Sequence, residues 1–194
     1  MLKHGFSLTE LLIALALGGL VVSAAATVSS RLIIRVMQLE QRRAVEEVSA
    51  LLAFSVSKEI RRSGYWFRPL SLTDSANPFL SQWHIDAYTG EPDASCVLLA
   101  YDKNKDGELT LDSPAEQTGF RLRDGALEQR VNGHLCDQKG WQDITDTSEM
   151  TVDTFSVRVS PLSPNVAEIS LALHHKQTPA IRQQRVLTVA LPNH

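Results

Sequence analysis

From Leu11 to Ser30 the chain runs for twenty residues without a charge, and beyond Arg31 apolar positions recur at helical spacing. At about 1.5 Å per residue the uncharged run spans roughly 30 Å, the thickness of a bilayer's hydrocarbon core. Val45, Val48, Leu52, Val56 and Ile60 then follow at spacings of three and four and draw one apolar stripe. Arg42, Arg43, Glu46, Glu47, Lys58, Glu59, Arg61 and Arg62 fill the polar side. No proline occurs before Pro69, and Gly64 supplies a C-cap after Arg61 and Arg62. The pattern predicts one helix from about Phe6 to Ser63, roughly 87 Å long. Gly18-Gly19 weakens it by about 1 kcal/mol per residue relative to Ala.

After Gly64 the pattern changes. Residues 65–95 read as a loop, with Pro69, Asn77-Pro78, Gly90 and Pro92. Cys96–Tyr101 is a short apolar run expected as a buried strand. Gly119–Arg123 and the stretch through Leu127 and Val131 alternate, Val152, Phe155, Val157 and Val159 give another strand, and Ile169–Leu173 and Leu187–Leu191 keep strict period two. The expected fold is α+β. A long N-terminal helix has a membrane half (residues 6–30) and an amphipathic half (31–63), packed on an antiparallel β-sheet head (64–194).

Charge is unevenly spread along the 194 residues. Residues 1–63 carry eight Lys/Arg against five Asp/Glu, and residues 64–194 carry eleven against seventeen. An acidic head lacks the basic face that phosphate backbones require, so no nucleic-acid partner is expected. The motifs of an enzyme are missing too. There is no G-x-S-x-G, H-E-x-x-H, P-loop or G-x-G-x-x-G. His84, His134, His174, His175 and His194 are scattered, and Asp143 and Asp146 near Trp141 read as a surface loop. No catalytic residues are assigned.

Cys96 and Cys136 are the chain's two cysteines. An even count behind an export segment reads as one disulfide, with two reduced buried thiols as the alternative. The sharpest motif of the head is Asp102-Lys-Asn104-Lys-Asp106-Gly107-Glu108-Leu-Thr-Leu-Asp112. Oxygen side chains at positions one, three and five followed by glycine match the opening of an EF-hand calcium loop. Ser113 stands where the bidentate Glu belongs, and two lysines lower the loop's negative charge. The residues therefore support two readings. One is a polar hairpin with Asp106-Gly107 making the reversal. The other is a calcium site using Asp102, Asn104, Asp106, Glu108 and Asp112, with no other cofactor expected.

Three readings compete for the N-terminus. They are a secretory signal cleaved near Ala24-Ala25-Ala26, a plain signal anchor, and a leader of residues 1–5 ending at Gly5. Glu10 separates them. A carboxylate at the mouth of an apolar run costs a few kcal/mol unless it is paired or interfacial. If the chain begins at Phe6, the new terminal amine of one subunit can pair with Glu10 of its neighbour and fix the axial register.

GFSLTELLIALALGGLVV resembles the N-terminal motif of type IV prepilins and type II secretion pseudopilins. That resemblance implies cleavage between Gly5 and Phe6 by a prepilin peptidase, N-methylation of Phe6, and assembly through Glu10 and the apolar helix. Thr27 stands where major pilins usually carry a proline, and Arg61-Arg62-Ser63-Gly64-Tyr65 resembles the helix exit of W- or J-type minor pilins. Later stretches, among them VLLAYDKNKDG and CDQKGWQDIT, are similar to prepilin peptidase-dependent minor subunits of enteric bacteria. The resemblance implies a single-pass protein of the bacterial inner membrane, its head in the periplasm, incorporated into a filament. The partners it implies are other minor pilins or pseudopilins and the major pilin. A pilus and a secretion pseudopilus use the same helix. The reading of a different class is a secreted calcium-dependent binding module with a mature start near Thr27.

Overall fold

Ser7 and Glu10 set where the first helix begins. The computed structural model describes residues 7–67, 76–111 and 115–194, and within them α1 covers Leu8–Arg62. Glu10 Oε2 accepts the Ser7 backbone N–H at 2.9 Å, the reciprocal half of a capping box written S-x-x-E in the sequence. At the other end Gly64 adopts φ +74°, and a Cβ there would lie 2.7 Å from Leu80 Cδ2, so both conformation and space demand glycine.

The chain divides into two compact units, Met1–Arg43 and Ala44–His194. In the first, the described side chains are exposed nearly throughout, and this stretch makes α1 long and apolar enough to cross a membrane. Three of its hydroxyls bond within the helix. Ser23, Thr27 and Ser30 donate to the carbonyls of Leu20, Ser23 and Ala26, each at 2.9 Å.

In the second unit the remainder of α1 buries Val45, Ser49, Leu52, Ala53, Val56 and Ile60 along one face. The expected stripe is in place, with Ser49 and Ala53 filling it. Eight strands follow among the described residues. β1 (His84–Asp86), β2 (Cys96–Ala100), β3 (Gln117–Arg123), β4 (Ala126–Gln129) and β5 (Gln142–Asp143) form an antiparallel sheet in chain order. β6 (Met150–Ser160), β7 (Ser163–His175) and β8 (Thr178–Ala190) form a second antiparallel sheet. Among the described residues the antiparallel strands of the head therefore divide into two sheets. The second sheet meets the first through its turns: Val152 N–H donates to Gly125 O (2.8 Å) and Val157 N–H to Ala94 O (2.9 Å). The stretch expected as loop before Cys96 also carries β1 and a 3-10 turn, Leu80–Gln82.

Both sheets and α1 share one core. Val97, Leu99, Phe120, Leu122 and Leu127 from the first sheet meet Phe155, Val157, Ile169, Leu171 and Leu173 from the second. β2 is buried on both faces. Val97 and Leu99 enter the main core, while Cys96 and Leu98 pack with Cys136 and Trp141 in a smaller cluster. Asp124-Gly125, with φ of 49° and 75°, makes the two-residue reversal between β3 and β4. Asp106-Gly107, where the sequence suggested a hairpin turn, lies instead inside the long connection between β2 and β3.

Ile60 is fully buried, whereas Leu51 on the opposite face of α1 is exposed. Ile60→Ala is expected to lower the unfolding free energy of the detergent-solubilised chain by about 2–5 kcal/mol. Leu51→Ala should change it by less than about 0.5 kcal/mol. Denaturant titration of the two variants checks this, and equal losses would contradict the packing described.

Candidate functional site

Gly5 and Phe6, the residues expected to be processed, lie outside the described residues. Glu10 does not. It sits in the first turn of α1, where the positive end of the helix dipole favours a carboxylate. One oxygen accepts the Ser7 N–H, and Ser7 Oγ lies 2.8 Å from Thr9 Oγ1. A carboxylate has lone pairs beyond the one engaged, so capping its own helix leaves Glu10 able to accept a second donor. Around it Leu8, Leu11, Leu12 and Ile13 are exposed.

The Asp102 loop is built around two buried carboxylates. Asp102 is 2% exposed and accepts backbone N–H groups from Lys105 (2.6 Å), Gly107 (3.0 Å) and Phe67 (3.1 Å). Glu116 is 1% exposed and accepts from Lys103 (2.7 Å), Asn104 (3.4 Å) and Thr110 (3.0 Å). Asn104 Nδ2 donates to Asp106 Oδ2 at 2.6 Å, and the Trp66 indole donates to Gly107 O at 2.8 Å. Carboxylate oxygens of Asp102, Asp106 and Glu116 lie within 4.8 Å of one another. Such an oxygen-only set suits a hard cation such as calcium.

Of the five residues expected to hold that cation, Asp102, Asn104 and Asp106 come together. Glu108 contributes its backbone N–H to Asp106 Oδ1 (2.8 Å), and its carboxylate is outside the convergent set. Asp112 lies outside the described residues. Glu116 takes a place that the sequence reading missed, because it falls beyond the twelve-residue frame of an EF-hand. Its signal was an acid placed just before a strand. Lys103 turns to Ala115 O (2.9 Å) and to the ring of Tyr101 (5.5 Å to its centre). Burial there lowers its pKa from the ordinary lysine value, with Glu59 and Glu116 opposing.

Cys96 and Cys136 form a disulfide with Cα atoms 6.1 Å apart. Directly opposite Cys96 in the β2–β3 register is Arg121, a fully buried guanidinium. It pairs with Glu128, donates to the carbonyls of Cys136 and Gln138, and stacks between Tyr88 (4.9 Å) and Trp141 (4.6 Å). The disulfide and this cation fix the 136–141 loop from two sides. The scattered polar residues are structural ties: His174 Nδ1 bonds Asp153, His194 Nε2 lies 3.0 Å from Ser63 Oγ, and Asp146 accepts from Ser148.

Two family models match the chain. The one described as prepilin peptidase-dependent protein B matches residues 37–191, and the prokaryotic N-terminal methylation motif matches residues 1–26. The chain is 28% identical over 182 residues to prepilin peptidase-dependent protein B of Escherichia coli (strain K12), an alignment covering 91% of this chain and 90% of that protein. No solved structure matches it.

Replacing both cysteines by serine frees the loop they close, 40 residues in sequence separation. The expected loss is about 4 kcal/mol on the chain-entropy model. Unfolding of the double variant beside the parent measures it, and a loss near zero would mean that Arg121 holds the loop unaided.

Proposed function

Because the chain belongs to the prepilin peptidase-dependent protein B family, we propose that it is a minor pilin-like subunit taking part in initiation or tip assembly of a type IV pilus. The observation that carries this reading is the N-terminal methylation motif standing before an exposed apolar helix. On this reading prepilin peptidase cuts between Gly5 and Phe6 and Phe6 is N-methylated. The apolar part of α1 holds the subunit in the inner membrane with the head in the periplasm. Other minor subunits and the major pilin are its partners, met through the same helix. Glu10 then accepts the terminal amine of a neighbour while it caps its own helix, and low dielectric strengthens that pair.

Intact mass and N-terminal sequencing after co-expression with a prepilin peptidase test the processing step. The expected product begins at methylated Phe6, and a product beginning near Thr27 would overturn the reading. Glu10→Val is expected to leave cleavage intact and to reduce recovery in sheared filaments, scored by immunoblot. Unchanged recovery would remove Glu10 from assembly.

The convergence of Asp102, Asp106 and Glu116 favours a calcium ion as a structural cation of the head, with Asn104 as a further oxygen ligand. It would neutralise carboxylates that the loop otherwise holds by backbone N–H groups and, at Asp106, by the Asn104 amide. Calcium at a hundred times its dissociation constant would stabilise the fold by about 2.7 kcal/mol. Asp106→Asn keeps the acceptor for the Glu108 N–H and removes the charge. Calcium is expected to raise the melting temperature of the parent and to raise that of Asp106→Asn less. No response of the parent to millimolar calcium would sink the proposal.

A further inference from the structure

The uncharged run of α1 ends at Ser30, but its apolar surface does not. Leu32, Ile33, Ile34, Val36, Met37 and Leu39 follow, and every one is exposed. They carry the apolar surface about 13 Å beyond Ser30. The headgroup layer on one side of a bilayer is only roughly 5–7 Å deep. A helix standing along the bilayer normal would therefore lift Val36, Met37 and Leu39 through that layer into water.

The polar positions of the same stretch lie on one side. At about 100° per residue, Arg31, Arg35 and Gln38 fall within a sector of about 60°, and Arg42 continues their line. The six apolar side chains occupy the rest of the circumference. Residues 31–43 hold four arginines against one acid, Glu40, which stands on the face opposite the stripe. Arg31 and Arg35 are exposed, and among the described residues neither side chain takes part in a hydrogen bond or an ion pair. A line of guanidiniums beside a broad apolar face is the pattern of a helix segment that lies in a membrane interface, and a surplus of arginine selects an anionic one.

We propose that residues 31–39 bind the surface of an anionic bilayer, with α1 leaning so that the apolar side of this segment rests in the interface. The guanidiniums of Arg31 and Arg35 then reach lipid phosphates, whose oxygens match the fork of donors that a guanidinium presents. An apolar stretch longer than the hydrocarbon core is accommodated by tilt, and interfacial arginines are among the anchors that set it. Glu40 marks where the helix leaves the interface, since its carboxylate stands on the side that leans toward the lipid. The proposal rests on the reading that the Leu11–Ser30 run spans the membrane, and adds to it the lipid chemistry that holds the helix at its depth.

The test uses the full chain, reconstituted as single copies in nanodiscs of phosphatidylcholine with or without phosphatidylglycerol. A fluorophore is attached at Val21→Cys, Met37→Cys or Phe54→Cys, all exposed positions of α1, and lipids carry a quencher at the midplane or at the interface. Position 21 reports on the span, and no midplane quenching there in either lipid would remove the membrane reading itself. With position 21 in the core, interfacial lipid is expected to quench position 37 severalfold more in phosphatidylglycerol discs than in phosphatidylcholine, and position 54 in neither. Arg31→Gln with Arg35→Gln should abolish that lipid difference and leave position 21 unchanged. A position 37 as unquenched as position 54, or a lipid difference that survives the double variant, would overturn the proposal. Shielding of position 37 only in discs loaded with two copies would assign the face to a neighbouring chain and overturn it as well.

Discussion

Val45, Leu52, Val56 and Ile60 reach the core from one side of α1, and side chains from both sheets meet them there. The remaining architecture of the head follows from that burial. At about 25 cal/mol per Å² of apolar surface, one helix face supplies a stabilisation that neither a five-stranded nor a three-stranded sheet would gain alone. It also explains how two sheets coexist without a common hydrogen-bond ladder. They are joined by a shared apolar interior and by the turns at Ala94 and Gly125.

Buried charge organises what that core does not reach. Asp102 and Glu116 each gather three backbone N–H groups and so shape the connection between β2 and β3. Arg121 gathers carbonyls in the same way for the loop after Cys136. A buried ion left unpaired is costly, so each of these loops has few conformations that satisfy its ion. The two loops are specified from within, one by anions and one by a cation.

Much of this was legible in the chain. The uncharged run and the 3–4 spacing of Val45 to Ile60 located α1 nearly to the residue, and the apolar patterns found β6 and parts of the longer strands β7 and β8. GFSLTE carried the family resemblance through residue order, which the methylation-motif match supports. What escaped was non-local. Whether a strand joins one sheet or another depends on partners far along the chain, and no local spacing records it. Arg121 alternates like any outward residue on β3, yet it points into the small cluster because Tyr88 and Trp141, from distant loops, close over it. Glu116 was hidden by the frame of a known motif. The Ser7–Glu10 cap, by contrast, is written in the spacing S-x-x-E, where the same carboxylate also suits an intersubunit pair.

The self-bonded hydroxyls of Ser23, Thr27 and Ser30 bear on how α1 changes surroundings. A membrane helix whose polar side chains bond to lipid headgroups or neighbours must break those bonds at fixed depths, and each break is a discrete barrier. Here these three hydroxyls carry their acceptors with them. A change of surroundings at these three positions breaks none of their bonds, so they add no latch of their own to such a move.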